Sequence, residues 1–451
     1  MITHRGHWRL LAAAAVALPA ALASCGSTEA PKTPAVVVSR ILSGSSSSAV
    51  GLAGWAVNVR PAVHVTDNSG HGLAGAAVTF AVTGGGGSGT GLSATTDSNG
   101  MAQVGSWTLG AAPGVNTMTA TVSATGVAGS QVTFTDSGVA AEYSIQLQYY
   151  GNYKPTAPES AAFNYAVTRW QQMVYRHVGP PVPVSDSAGV CGAGEPAVNQ
   201  TISDLVILAS FDSIDGPGKT LAESAPCIIR TSGAGAGLTV VGVMKFDTAD
   251  VGTLIANGQL NAVVLHEMNH ALGFGTLWTL SAPFPRVNCL QLPSKPPGTL
   301  QDTYFSCAGG SANAAAEFDS VGGTSYTGAG QPYGSALHAP PVENCANSPY
   351  VYPSCGQGTV NGHWRTTVFG NELMVGFLPA HPALSVVSLG SLQDLGYTVN
   401  YAAADAYAGG TGFKAAPIEG GGRVFLGDDI HHGPLYGVDP LGRITLVRRR
   451  L

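Results

Sequence analysis

Between Leu260 and Gly273 the chain sets two histidines four residues apart on an apolar helical stretch that ends in a glycine. Leu260, Val264, Met268 and Ala271 recur at helical spacing, which predicts an α-helix with one buried stripe. Gly273 suits the left-handed position that stops a helix. His266 and His270 then lie on one side of that helix, one turn apart, where both imidazoles can reach one ion. Glu267, next to the first histidine, is placed to accept a proton from water at that ion. Neutral imidazoles suit zinc, and three protein ligands leave it a position for water. A third ligand is therefore needed. In the short pattern H-E-x-x-H-x-x-G-x-x-H it would fall on Thr276, which cannot serve. The later histidines are His338, His363, His381, His431 and His432, and helix geometry does not choose among them.

The rest of the chain sets the compartment. His4, Arg5, His7 and Arg9 precede an apolar run, Leu10 to Ala21, too short to span a bilayer comfortably. Leu22-Ala23-Ser24-Cys25 follows and resembles a bacterial lipobox, which implies a signal peptide at 1–24 and a lipid on Cys25. The expected mature protein is exported and lipid-anchored at the envelope, on the outer membrane or surface, or secreted if the lipobox is unused. Cysteine parity agrees. Of seven cysteines, removing Cys25 leaves six, an even set suited to disulfides in an oxidising compartment. Their close spacings favour Cys191–Cys227, Cys289–Cys307 and Cys345–Cys355, although six cysteines formally allow many pairings. With only 10% charged residues and a net charge of −6, the chain lacks the concentrated basic face of a nucleic-acid binder. No nucleic-acid partner is expected.

The organisation expected is multidomain. After a linker at 25–35, residues 36–139 carry alternating runs such as Ala77-Val78-Thr79-Phe80-Ala81-Val82, separated by turn signals at Asp67-Asn68-Ser69-Gly70 and Asp97-Ser98-Asn99-Gly100. Short strands at this spacing predict an all-β sandwich. The succession V-x-V-T-D-N-S-G-x-G-L-A-G-A-A-V-T-F, then T-T-D-S-N-G-M-A, resembles bacterial immunoglobulin-like domains of the invasin and intimin type, which are usually spacers. Residues 142–402 predict an α+β domain. Its strands are expected near 143–149, 204–209 and 238–246, and a helix over 160–174 buries Phe163, Ala166, Val167, Trp170 and Val174. Residues 403–451 read as a Gly-rich tail ending in a hairpin around Asp439-Pro440-Leu441-Gly442.

The pieces after the helix carry a second resemblance. Gly362-His363-Trp364-Arg365, then Asn371-Glu372-Leu373-Met374, then Gln393-Asp394-Leu395-Gly396-Tyr397 follow the motif helix after a long insertion. With the helix, this succession is similar to leishmanolysin-type peptidases of the metzincin class, over about residues 143–401. The resemblance implies a zincin fold, His363 as third zinc ligand, Met374 as the Met-turn residue below the metal, one zinc ion per chain and Glu267 as the general base. The implied activity is endopeptidase cleavage of extracellular or envelope proteins. Two rival readings are a surface adhesin that binds through the immunoglobulin-like domain, and a metal-scavenging lipoprotein. The intact Glu267 beside three histidines weighs against both.

Overall fold

A computed structural model of the protein describes residues 38–46, 48–67, 69–123, 131–280, 284, 289–291, 303–307, 312–325, 337–344, 359–407, 424–426 and 428–449. The signal segment, Cys25, the linker, Cys345 and Cys355 lie outside the described residues. In the N-terminal block the alternation read from the sequence becomes burial. Val78 and Phe80 of strand Ala77–Gly84 point inward while their neighbours face solvent. That strand belongs to a five-stranded sheet, and a three-stranded sheet that includes Ala62–Asp67 shares its core. Val63, Val65 and Ala102 from the smaller sheet pack with Phe80, Met118, Ala120 and Phe134 from the larger, so the block is a two-sheet sandwich. Its turns form as their sequences direct. The carboxylates of Asp67 and Asp97 each accept N–H bonds from residues two and four ahead.

The second unit is built on one mixed sheet. Its strands in chain order are β1 (Ile145–Tyr149), β2 (Leu205–Asp212), β3 (Ala222–Arg230), β4 (Thr239–Asp247), β5 (Leu435–Val438) and β6 (Ile444–Arg448). They lie in the order β1-β2-β4-β3-β5-β6. β1, β2 and β4 run parallel, β3 runs against β4, and β5 runs parallel to β3. Seven of the eight residues of β2 are buried, because both faces of the sheet are covered. Leu205, Ile207, Ala209 and Phe211 meet the helices, while Val206 and Leu208 meet a small hairpin carrying Val182, Val184 and Ile202. The Cys191–Cys227 disulfide ties the connection between that hairpin's strands to β3.

Helices α1 (Ala157–Met173) and α3 (Leu260–Leu272) pack on one sheet face, with α2 (Thr248–Ala256) between them in sequence. α1 starts three residues earlier than its apolar stripe predicts, because Glu159 reaches back to the Thr156 N–H at 2.5 Å and fixes the first turn. Trp170 of α1 donates its indole N–H to the Leu265 carbonyl of α3 at 3.1 Å, setting the two helices at one register. β3 was not legible from sequence: Ala222 to Cys227 show no alternation, and Pro226 argues against a strand interior. The ladder accommodates Pro226 with a shift of register between Pro226 and Ile228. The C-terminal hairpin, read from sequence as lying beyond this domain, completes its sheet on the outer edge of β3.

Candidate metal centre

The helix that carries the H-E-x-x-H pentamer is buried from Val263 to Leu272, all round rather than on one stripe. It ends at Gly273, whose φ of +122° a side chain would strain. Tyr397 Oη and Thr239 Oγ1 both donate to the Leu272 carbonyl, at 2.7 and 3.3 Å, so its unpaired C-terminus is satisfied inside the core. The chain then turns through Gly275, at φ +72°. A Cβ there would sit 2.2 Å from the Gly362 carbonyl oxygen. This close approach carries His363 to the end of α3 across more than 80 residues of sequence. Gly275→Ala should push residues 362–363 away, lowering both thermal stability and metal affinity. Zinc titration and thermal melting of that variant, compared with the parent, test whether the contact seats the histidine; an unchanged pair of values would show that it does not.

A turn on the other side holds His266. The short helix α4 (Thr366–Phe369) leads into Glu372-Leu373-Met374. The Glu372 carboxylate is fully buried and accepts from Ser385 N–H and Oγ, Ser388 Oγ and the Met374 N–H. So pinned, the turn presents the Leu373 carbonyl to His266 Nδ1 at 2.8 Å. Met374 is fully buried, and its carbonyl receives the Trp364 N–H at 2.9 Å. Beneath lies an aromatic layer in which Trp364 packs on Phe274, Trp278, Phe305 and Phe369. The Cys289–Cys307 disulfide closes next to it.

Each of the three histidines is fixed through Nδ1. His266 bonds to Leu373 O at 2.8 Å, His270 to Phe274 O at 2.8 Å, and His363 to Thr359 O at 3.3 Å. A carbonyl only accepts, so each Nδ1 carries the hydrogen and each neutral ring turns a lone pair outward on Nε2. The three Nε2 atoms converge, at 3.0 Å for His270 to His266, 3.0 Å for His270 to His363 and 3.1 Å for His266 to His363. Three lone pairs at that separation repel unless something positive sits among them. A fourth group joins them. Asp429 Oδ2 lies 3.1 Å from His363 Nε2 and 3.4 Å from His266 Nε2, close enough to pair electrostatically but misdirected for a hydrogen bond. All four side chains are fully buried, and their potential ligand atoms lie within 4.8 Å of one another. This His-His-His-Asp group could hold a metal ion.

The charge balance of these side chains supports that reading. Burial drives His270 far below its ordinary pKa and lowers His266, so both resist protonation. His363 pays the same desolvation, but the Asp429 charge outweighs it and leaves that ring raised. Asp429, despite burial, is held far below the carboxylate range by His363 and His266. Glu267 is fully buried, and neither carboxylate oxygen has a hydrogen-bond partner. Burial, with the charges of Asp429 and Glu223, pushes it well above the usual range. Two buried carboxylates and three inward lone pairs are the environment that a divalent cation relieves.

The structure brings together His266, Glu267, His270 and His363 as the sequence suggested, and adds Asp429, which the sequence reading missed. It keeps the other histidines apart from them. His338 pairs with Asp319 at 2.9 Å and His381 is exposed. His431 and His432 are half-buried, on Glu223 and Asp428 respectively. Local sequence signalled only that the segment around Asp429 is buried, not what Asp429 reaches. Phe425, Leu426 and Ile430 flank an Asp-Asp pair in an otherwise Gly-rich tail, a pattern that implies a buried segment rather than a free turn.

No known family model and no curated protein matches the chain. Among solved structures, the D0-D1 domain of intimin is similar at 17% identity, covering 23% of this chain and 49% of that one, with a TM-score of 0.18. The D00-D0 domain of intimin matches at 17% identity over 22% of this chain and 46% of that one, TM-score 0.17. A Bacteroides ovatus GH5 xyloglucanase in complex with a XXXG heptasaccharide matches at 11% identity over 39% and 38%, TM-score 0.17. The chain thus spans about half the length of the intimin fragments it matches, and TM-scores this low carry no conclusion about fold or activity.

Proposed function

We propose that the protein is a zinc-dependent endopeptidase, an exported and lipid-anchored relative of the leishmanolysin-type metzincins, acting on proteins outside the cytoplasm. The observation that supports this most is the convergence of three Nε2 lone pairs beside a buried carboxylate without a hydrogen-bond partner, Glu267. Imidazole donors in that number fit zinc better than the harder, oxygen-seeking divalent ions. His266, His270 and His363 would hold it, with Asp429 within reach. When bound, zinc polarises a scissile carbonyl and lets water act as a nucleophile at neutral pH.

The chain's own part is proton handling and positioning. The Nδ1 bonds to Leu373, Phe274 and Thr359 keep each Nε2 free of hydrogen and each ring in one orientation. Glu267, held by the same helix as two of the histidines, would accept a proton from water at one carboxylate oxygen and deliver it to the leaving amine. A cavity of about 760 Å³, lined by Tyr150, Glu195, Glu223, Lys245 and His431, opens on the sheet, large enough for side chains of a ligand. Metal analysis of the folded full chain, with cleavage of casein by the Asp429→Ala form in the presence and absence of chelator, tests the reading. One zinc per chain and chelator-sensitive cleavage are expected. Folded protein without zinc, or cleavage that ignores the chelator, would refute it.

A further inference from the structure

Asp429 does not arrive at the histidines as a loose tail. Its carbonyl accepts the Ser224 N–H at 2.8 Å, and the His431 N–H donates to the Ser224 carbonyl at 3.1 Å. Ile430 thereby makes a parallel bridge to Ser224, on the edge of β3 that faces away from β4. Farther along the same edge, β5 pairs with Ile228, Ile229 and Arg230. Residues 429–431 and 436–438 therefore pair with two stretches of that edge, at Ser224 and at 228–230, in the way an added peptide strand pairs with an exposed sheet edge. Beyond Ile430, His431 sits on Glu223 at 3.2 Å, and both His431 and Glu223 line the 760 Å³ cavity. One short segment puts a carboxylate on the histidine cluster, backbone bonds on the neighbouring strand and a ring in the cavity lining.

We propose that the segment from Asp428 to His432 is a resident occupant of the cleft, which keeps the protein in a closed, latent form with Asp429 as the fourth donor to the metal. The proposal rests on the metallopeptidase reading and adds its regulation. A peptide in extended form needs the same two things this segment takes, the Ser224 edge of β3 and a free position at the metal. Activity then requires the segment to leave. The buried carboxylate of Asp247 supports no comparable reading, because it is already satisfied by the N–H groups of Ile214, Asp215, Gly216 and Ala249.

The test uses full-length protein loaded with cobalt(II), whose visible spectrum reports the donor set, and acetohydroxamic acid as a small probe for an open metal position. In the parent, Asp429 should compete with the probe. Asp429→Ala should bind it at least about tenfold more tightly, the gain expected when the segment is displaced in one molecule in ten or fewer. Peptide turnover at equal zinc occupancy should rise by a similar factor. Asp429→Asn keeps the volume but weakens the donor, and carries the same comparison if the alanine form does not fold. Cobalt bound by both proteins with equal hydroxamate affinity overturns the latent form and leaves the metal site standing. Cobalt bound by neither overturns the metallopeptidase reading, and this proposal with it.

Discussion

Glu267→Gln, placed in the Asp429→Ala chain, should retain zinc at one per chain while its peptide turnover falls by about 10²–10⁴, the range expected for loss of a general base. The substitution changes little else. In the parent, burial first and then the charges of Asp429 and Glu223 hold the Glu267 carboxyl well above the usual range, and burial with Glu223 remains in the alanine chain. An amide is close in shape to that protonated acid, so unfolding curves of the apoproteins should nearly coincide. The separation is the point of the experiment: metal content and stability unchanged, turnover collapsed. Near-normal turnover in the glutamine form would show that the proton acceptor is another group, and the carboxylate to examine next is Glu223, whose charge also reaches Glu267.

The same site shows where sequence reasoning reaches and where it stops. α3 was legible because three signals coincide over 14 residues: an apolar stripe, histidines one turn apart and a terminal glycine. All are local. α1 and the buried strands β2 and β4 were legible for similar reasons, since runs such as Leu205-Val206-Ile207-Leu208 have few alternatives to a doubly covered strand. β3 was not, because its sequence breaks the rules of strand interiors at Pro226 and the sheet absorbs the breach by a register shift. Its neighbour β5 was legible as half of a hairpin, but the partner that gives it a place in the sheet lies some 200 residues earlier. Asp429 failed for that reason too. Its role follows from the Ser224 bonds, which no local pattern encodes. The groups that converge on the metal cluster are thus legible in proportion to how much of their placement is helical.

His363 tests the joint that sequence could reach only by resemblance. His266 and His270 are tied to each other by one turn of helix, whereas His363 depends on the Gly275–Gly362 approach and on the turn at Thr359. His363→Ala should therefore lower zinc affinity by more than about 100-fold, because replacing even an outer partner of a ligand commonly costs 10- to 100-fold. It should also destabilise the metal-free protein by about 3 kcal/mol or more, since it leaves Asp429 buried with its main charge partner gone. His338→Ala is the matched control. That ring is one-third exposed and pairs with Asp319 at the surface, so zinc content should not change and stability should move by about 1 kcal/mol or less. Parallel zinc titrations and chemical unfolding of the two variants decide the matter. A His363→Ala protein that still binds one zinc with parental affinity would remove this residue from the ligand set. The donors would then reduce to the helix pair with Asp429, and the likeness of the C-terminal half to leishmanolysin-type peptidases would lose its chemical content.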